Sequence, residues 1–531
     1  MPRDFDVIIV GSGPAGVSAA FPLVEAGLSV LMVDGGENKK TEPFAEPYLL
    51  KRQIDPAQAD WLLGARFHSL KNLAAPSPKL RIPAHAYAFN NFEQLNKIIS
   101  NNVVAVGSMA PGGLSNVWGC GVARLSGAQL EDYPFPASDL TDSYAMVAKR
   151  MGISGAVQDD LVDYLELDEW AEPPIEIDSI QRLLLNRYEQ TPSSDRSLSF
   201  RLGRARVAAL SQDRYGRQAC NLSGNCLWGC HRRSLYTATQ DLDTLRSYPL
   251  FTYRTGFIVE DLTHSGSEAG ILVANANKTE SISASKVLVG AGALATTRLA
   301  MRALKISQTV VMQSAPVAAF MLWIPAAASQ QQGAAFALAQ LAFTTRMLTK
   351  DSRPINGFGS LFNVSGIPMS EFTPYLPMTS RYGIDALKIL LRSCVVGNFY
   401  LPGKYTQIEA QLKASGALEL SGKFHEEVEG LMAQGKKQLS KAFRKLGAQM
   451  IPGSFKVARP GADIHYGASL PMRLHPGLCE TTLRGSLFGL PNIHLIDGAS
   501  LSSITEKPHT LTLMANADRI ARLVVHELKT P

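Results

Sequence analysis

The chain opens with an apolar run, Phe5 to Val10, that has the length and composition of a buried strand. A glycine-rich turn follows, then an alanine-rich segment to Leu28, and then a second apolar run from Ser29 to Asp34. The order strand, turn, helix, strand predicts a βαβ unit at the start of the chain.

The same alternation returns in two later blocks. Their strand-like runs are Phe251 to Leu262, Gly270 to Ala276, Lys286 to Gly290 and Ile493 to Asp497. Helices are expected from Ala295 and from about Thr510 to Leu528. Because three separated blocks resemble parts of one sheet, they predict a discontinuous nucleotide-binding domain.

Residues 305 to 460 differ from these blocks, because proline and methionine become more frequent and the apolar runs shorten. We expect this stretch to form most of a substrate domain. The predicted nucleotide-binding segments are 1–125, 216–304 and 461–531, and the substrate-domain segments are 126–215 and 305–460.

Two segments of the insertion have helical patterns. Apolar residues from Phe424 to Leu446 recur at helical spacing, Gly447 can end that helix, and a lysine-rich face opposite is expected to be solvated rather than to bind a membrane or a partner. Ile384 to Val396 is expected to be a buried helix. The alternative is peripheral contact of Ile384 to Val396 with a membrane, which would admit an apolar or lipid-linked substrate.

Composition is that of an ordinary globular protein, with 531 residues, 46% of them hydrophobic and 18% charged. Lysine and arginine number 52 against 46 acidic residues, and no long block of like charge indicates a nucleic-acid partner. We identify neither a signal peptide nor a transmembrane helix, so a cytoplasmic location is expected.

The first turn carries candidate chemistry. Gly11, Gly13 and Gly16 leave room for a pyrophosphate at the start of a helix, where backbone N–H groups can bind it. Asp34, at the end of the next strand, is placed to accept ribose hydroxyls. This arrangement predicts a dinucleotide site and leaves NAD and FAD open.

Four further segments favour FAD, because in this order they resemble the glucose-methanol-choline (GMC) oxidoreductase family. They are Pro111 to Gly119, Tyr133 to Pro136, Val289 to Thr297 and Asn492 to Ser500. The resemblance implies an α/β fold, with a discontinuous Rossmann-like FAD-binding domain and a substrate domain built on an antiparallel sheet covered by helices. The predicted cofactor residues are Gly11, Gly13, Pro14, Ala15, Gly16, Asp34, Gly113, Ser115, Asn116, Val259, Gly290, Asp497 and Thr510.

Alcohol oxidation by hydride transfer needs a base beside the hydroxyl, and histidine suits that role near neutral pH. The segment around His465 is similar to the family's base-bearing segment, with Gly-Ala-Ser where the family usually has a threonine. His509 stands where the family has an asparagine or a histidine that binds the same substrate oxygen. The resemblance thus implies a catalytic pair, His465 and His509.

Cys220, Cys226 and Cys230 lie together in one glycine-containing loop. Clustered thiolates can bind a metal, and this spacing resembles the loop that holds a 3Fe-4S cluster in bacterial FAD-dependent sugar dehydrogenases. The alternative is that the three cysteines only pack, since free cysteine is commonly buried and a fourth ligand is absent.

The expected function is therefore FAD-dependent oxidation of a small-molecule alcohol, a sugar or polyol hydroxyl, with a cytochrome or quinone rather than oxygen as electron acceptor. One alternative is a non-redox lyase of the same fold that uses the histidine base. The other is a flavin- or cluster-bearing electron-transfer subunit, which would have no need of a base.

Overall fold

A computed structural model describes residues 4–36, 43, 45, 78–125, 127–192, 199–275, 278–328, 335–364, 367, 372 and 379–530. Its strands are β1 (Phe5–Val10), β2 (Val30–Asp34), β3 (Ile98–Ser100), β4 (Ile153–Ser154), β5 (Ala171–Glu172), β6 (Phe200–Arg204), β7 (Phe251–Thr255), β8 (Ile258–Ser265), β9 (Glu268–Ala274), β10 (Thr279–Val289), β11 (Val310–Met312), β12 (Val317–Trp323), β13 (Ala339–Leu348), β14 (Pro354–Asn363), β15 (Cys394–Tyr400), β16 (Thr406–Leu412), β17 (Leu418–Phe424), β18 (Gln449–Met450), β19 (Lys456–Val457), β20 (Ser486–Leu487) and β21 (Leu490–Leu495).

The helices of the described residues follow the same order along the chain. They are α1 (Pro14–Glu25), α2 (Ala86–Phe89), α3 (Phe92–Leu95), α4 (Thr141–Met151), α5 (Val162–Leu165), α6 (Ser179–Gln190), α7 (Ala238–Leu245), α8 (Ala293–Ala303), α9 (Ser380–Leu390), α10 (Val428–Lys445) and α11 (Thr510–Lys529).

The first sheet joins the three predicted blocks. Its order is β20-β21-β10-β1-β2-β7, and β21, β10, β1, β2 and β7 run parallel. Strand β1 lies at its centre and is almost wholly buried, as a continuous apolar run in a parallel sheet requires. The carboxyl ends of strands from all three blocks therefore meet at one edge, where α/β sheets bind ligands.

The second sheet is antiparallel, in the order β18-β12-β15-β14-β13-β6, with β19 beside β12. One face carries Phe320, Phe343 and Phe399, which pack under α6 and α10 in one apolar cluster. This is the expected antiparallel sheet covered by helices.

A third sheet, β11-β16-β17-β3, packs in the same apolar cluster as the parallel sheet, although most of its strands come from the insertion. The proposed segment boundaries stay a prediction.

Two expectations for the insertion are corrected. The helix expected from Phe424 begins only at Val428, because Phe424 is the last residue of β17, and Gly447, with φ of +76°, follows its end. The helix expected over Ile384 to Val396 ends at Leu390, and the chain then enters β15. That helix is not wholly buried either, since Ile389 is 76% exposed.

The aromatic cluster under α10 should govern the stability of the second sheet. Phe443 is fully buried and its ring lies 5.4 to 5.6 Å from those of Phe200 and Phe343. We expect Phe443→Ala to lower the free energy of unfolding by about 3–5 kcal/mol, because a cavity replaces the ring. Urea unfolding measures this. The control is Phe488→Ala, at a side chain that is 46% exposed, and an equal loss in both variants would contradict the expectation.

Candidate active site

One cavity of about 600 Å³ joins the glycine-rich turn to both predicted catalytic histidines. All the predicted cofactor residues line it except Gly16 and Asn116. Its volume lies in the range of small-molecule and cofactor sites. The structure therefore brings together, in one space, residues that the sequence separates by up to about 500 positions.

The glycines of the first turn differ in what surrounds them. A Cβ on Gly11 would lie 2.4 Å from the carbonyl oxygen of Gly290, and one on Gly16 would lie 1.9 Å from that of Gly11. A Cβ on Gly13 would meet no atom within 4 Å, because Gly13 faces the cavity just before α1 begins. Gly11 and Gly16 thus permit close backbone packing, and Gly13 leaves space for a ligand at a helix N-terminus.

Asp34 is held in place by hydrogen bonds from the first glycine-rich turn. Its Oδ2 accepts hydrogen bonds from the backbone N–H of Ser12, at 2.8 Å, and from the Ser12 hydroxyl. Burial raises the pKa of Asp34 to about 6, against the hydrogen bonds from Ser12, which lower it. Ser12 Oγ also accepts from the N–H of Gly112, so this serine joins both glycine-rich turns. No sequence pattern singled out Ser12.

The second glycine-rich turn is fixed by its own side chains. Ser115 Oγ donates to the carbonyl of Gly112 and accepts from the N–H of Ala238. Asn116 Nδ2 donates to two carbonyls of the turn, those of Pro111 and Gly113 at 2.8 Å each, which is why it does not line the cavity. Asn116 therefore shapes the loop from behind.

Asp497 follows β21 at the same edge of the parallel sheet. It accepts hydrogen bonds from the Thr296 hydroxyl at 2.6 Å and from the N–H of Ala499 at 3.0 Å. Burial raises its pKa to about 6. Val259, Gly290 and Thr510 line the cavity around it.

Together these residues fit a dinucleotide such as FAD. Gly13 offers open space at a helix start, and Asp34 and Asp497 stand at the carboxyl ends of β2 and β21, on either side of β1 and β10 in the same parallel sheet.

His465 and His509 lie face to edge, with ring centroids 4.9 Å apart and planes at 80°. The side chain of His465 is 29% exposed to the cavity, whereas His509 is buried and its Nδ1 has no hydrogen-bond partner in the part of the chain that the structure describes. The two rings can therefore both reach a small group placed in the cavity between them.

Gln313 positions the segments that carry both histidines. Its backbone exchanges hydrogen bonds with Gly467, at 2.8 and 3.1 Å, and its side chain accepts from the N–H of Ile504. Gly467 allows this approach, since a Cβ there would lie 2.6 Å from the carbonyl oxygen of Gly498. Gln313 is a second residue that the sequence did not single out.

Burial makes the pair electrically neutral near pH 7. It lowers the pKa of His465 to about 4, and burial together with the neighbouring His465 lowers that of His509 to about 3. Asp463 Oδ2 lies 3.6 Å from His465 Nδ1, and burial raises the pKa of this carboxyl to about 8. A neutral imidazole can accept a proton from a hydroxyl, as a base must.

The cavity wall opposite the parallel sheet is one face of the antiparallel sheet. Paired positions on β12, β15 and β14 give an apolar row of Val317, Tyr400 and Phe358, and next to it a row of Ala319, Asn398 and Ser360. Asn398 Nδ2 donates to the Tyr400 hydroxyl, and the Tyr400 ring lies 5.7 Å from that of His465.

The three clustered cysteines lie in surroundings that suit packing. No group of three or more His, Cys, Asp or Glu side chains among the described residues could hold a metal ion. Cys220 and Cys226 pack against an apolar cluster, and burial raises the pKa of both thiols, which favours the protonated form over the thiolate that a metal needs. Cys230 Sγ lies 3.0 Å from Ser234 Oγ. These contacts favour the packing alternative, and the 3Fe-4S ligands stay a prediction.

No helix in the described parts of the chain is long and apolar enough to cross a membrane.

Comparison with known proteins supports the fold. Residues 5–107 match a family model described as pyridine nucleotide-disulphide oxidoreductase. The whole chain resembles the crystal structure of pyridoxine 4-oxidase from Mesorbium loti, with a TM-score of 0.59 and 14% identity, over 98% of this chain and 99% of that one. A comparison with curated protein sequences found no match. The chain thus has the fold of a GMC-like flavoprotein, which confirms at the level of the fold the resemblance seen in its motifs.

Gly13 offers a direct test of the cofactor site. Gly13→Val should leave the free energy of unfolding of the cofactor-free protein nearly unchanged, because its side chain enters open space. It should weaken FAD binding at least about tenfold, because that space receives the pyrophosphate. Flavin fluorescence titration measures binding. Gly430→Val, also with no atom near its Cβ but on α10, is the control, and unchanged FAD affinity in Gly13→Val would contradict the assignment.

Proposed function

We propose that this chain is an FAD-dependent oxidoreductase that converts a primary or secondary alcohol to the carbonyl, with His465 as the base. The observation that carries the proposal is a pair of neutral histidines in the same cavity as a dinucleotide-type glycine turn. FAD, when bound, supplies the acceptor for the hydride that leaves the reacting carbon.

His465 performs the proton transfer in this proposal. Its neutral ring is open to the cavity, whereas His509 is more buried, so His465 is the better placed of the two to take the hydroxyl proton. Once His465 is protonated, a positive charge develops next to Asp463, whose Oδ2 is 3.6 Å away. Because this carboxyl is mostly uncharged below its pKa of about 8, it stabilises the charge as a nearby dipole. His509 contributes a second ring nitrogen that orients the substrate oxygen.

The wall of the cavity favours an alcohol with an apolar body. Val317, Phe358, Phe362 and Val396 all line it from the antiparallel sheet. A sugar would bring several hydroxyls that need partners, and on that wall Asn398 already bonds to the Tyr400 hydroxyl and to the N–H of Ser360. We therefore replace the sugar expected from the sequence by an apolar or aromatic alcohol.

The electron acceptor is part of the same test. The preference for a cytochrome or quinone rested on an iron-sulfur cluster that the cysteine loop does not support. The structurally similar protein is named an oxidase. Oxygen uptake and reduction of an artificial acceptor, followed in parallel, separate an oxidase from a dehydrogenase.

Anaerobic addition of alcohols tests the reaction itself. We expect benzyl or aliphatic alcohols to bleach the flavin absorbance, and His465→Asn to slow that bleaching at least about a hundredfold, since the base is lost. His475→Asn, the same change at an exposed histidine, is the control. Bleaching at the wild-type rate in His465→Asn would remove His465 as base. Binding of alcohols without any bleaching would instead favour the non-redox lyase.

The pH dependence follows from the lowered pKa of the pair. A pKa below the usual 6.5 means that His465 stays neutral, and able to accept a proton, as the pH falls through 6.5. We expect the rate of flavin reduction to be level from about pH 7, where the neighbouring Asp463 with its pKa of about 8 is still mostly uncharged, to about pH 5, and to fall as the pH approaches about 4. Stopped-flow measurements of flavin reduction across this range give the profile. An acid limb centred at pH 6.5 would contradict the proposed environment of the base.

A further inference from the structure

Glu506 is a buried carboxylate that lines the cavity three residues before His509. It is only 6% exposed, and burying a charged carboxylate is costly unless partners stabilise it. Three residues span at most about 11 Å of extended chain, so Glu506 lies within the length of a small substrate from the catalytic pair.

The hydrogen bonds of Glu506 leave one of its oxygens unused. Oε1 accepts from the hydroxyl of Tyr164 at 2.6 Å and from Nε2 of Gln129 at 3.3 Å. Oε2 has no hydrogen-bond partner among the residues that the structure describes, and it is not one of the fully enclosed polar atoms. One oxygen is therefore fixed to the protein, and the other is left for a donor in the cavity.

The charge around Glu506 is balanced without a direct ion pair. Lys507 donates to the backbone carbonyls of Arg124 and Tyr164, and its ammonium lies 4.2 Å from the centre of the Tyr164 ring. Lys507 is close enough to offset the negative charge of Glu506, but its ammonium donates to backbone carbonyls instead of to this carboxylate. The carboxylate therefore needs a hydrogen-bond donor more than a second cation.

Tyr164 also places this carboxylate beside the apolar wall. Its ring stacks on that of Phe358, with centroids 6.0 Å apart, and Phe358 belongs to the cavity-facing row of β14. A substrate lying along this wall would meet the histidines at one point and Glu506 at another.

We propose that Glu506 is a specificity-determining residue that accepts a hydrogen bond from a second O–H or N–H group on the substrate. The substrate class is then an apolar alcohol that carries, apart from its reacting hydroxyl, one hydroxyl or amino donor. This inference rests on the proposed alcohol oxidation, and it adds to that proposal what the cavity selects.

The test uses matched benzyl alcohols with the FAD-loaded protein. Dithionite-reduced protein cannot accept a further hydride, so calorimetry on it measures binding without turnover. We expect the wild type to bind 3-hydroxybenzyl and 3-aminobenzyl alcohol about 10- to 100-fold more tightly than 3-methylbenzyl alcohol, as a hydrogen bond to a charged group allows. Comparing the hydroxyl and amino compounds shows which donor the site prefers.

Glu506→Gln replaces the acceptor oxygen that faces the cavity by a hydrogen-bond donor. Tyr164 and Gln129 both donate, so they should retain the amide oxygen and turn the amide N–H₂ toward the cavity. The preference for donor-bearing alcohols should fall to less than about threefold, and 3-acetylbenzyl alcohol, which offers an acceptor, should gain affinity relative to wild type. On the oxidised protein, the ratios of kcat/KM between the same alcohols should change in parallel with the binding ratios. The intrinsic reactivity of each alcohol is the same with wild type and variant, so it cancels when the two proteins are compared.

Controls separate recognition from folding and from the reaction. Glu429→Gln, the same change on the exposed face of α10, should keep the wild-type ratios. If Glu506→Gln unfolds, Glu506→Asp keeps the charge but withdraws it by one methylene, and should weaken the donor preference. Equal ratios in wild type and a folded Glu506 variant, or no binding to wild type, would overturn the inference. Selective binding without flavin reduction would leave it standing and refute alcohol oxidation.

Discussion

The close approach of backbone at the carboxyl ends of β1 and β10 is the constraint on which the site depends. Gly11 and Gly290 come so near that a single Cβ on Gly11 would lie 2.4 Å from a carbonyl oxygen. Gly16 packs as closely on Gly11, which fixes the start of α1 against the end of β1. Because these contacts use only backbone, the space in front of Gly13 stays open, and the rest of the cavity is built outward from it.

A second set of close contacts brings the chemistry to that space. Gly467 lies against Gly498, just after the strand that ends near Asp497, so the loop carrying His465 rests directly on the parallel sheet. Gln313 then joins the Gly467 segment to Ile504, five residues before His509. The geometry of the histidines therefore depends on glycines and one glutamine that do no chemistry themselves.

The sequence predicted the parts of the fold that local patterns determine. Continuous apolar runs gave β1, β2 and β10, and the glycine turn with Asp34 gave the dinucleotide site, because each depends on residues close together in the chain. The resemblance of motifs to the GMC family predicted the second glycine-rich turn and the pair His465 and His509. Ser12, Gln313 and Glu506 were not identified, since their roles arise from partners that lie 22 to 377 residues away in the chain.

One interpretation failed for a physical reason that a single segment does not reveal. Ile384 to Val396 is mostly apolar, with single polar residues between the apolar ones, and such a run can continue as helix or change to strand. Its last residues pair with β12 and β14, so tertiary contacts decided the outcome. The structure also shows Cys220, Cys226 and Cys230 packed against one apolar cluster, which their spacing alone did not reveal, and the 3Fe-4S cluster stays a prediction.

Burial shifts the pKa values of five groups at the site in one direction, toward the uncharged form. It raises the pKa values of Asp34, Asp463 and Asp497 and lowers those of His465 and His509. A site of this kind has few fixed charges of its own, so a charge that develops during proton transfer is stabilised by the nearest dipoles rather than by bulk water. Asp463 Oδ2 already accepts from the N–H of Ala315, and His465 stands beside it. The same low polarity makes the free oxygen of Glu506 matter, because a hydrogen bond is stronger in surroundings of low dielectric constant than in bulk water.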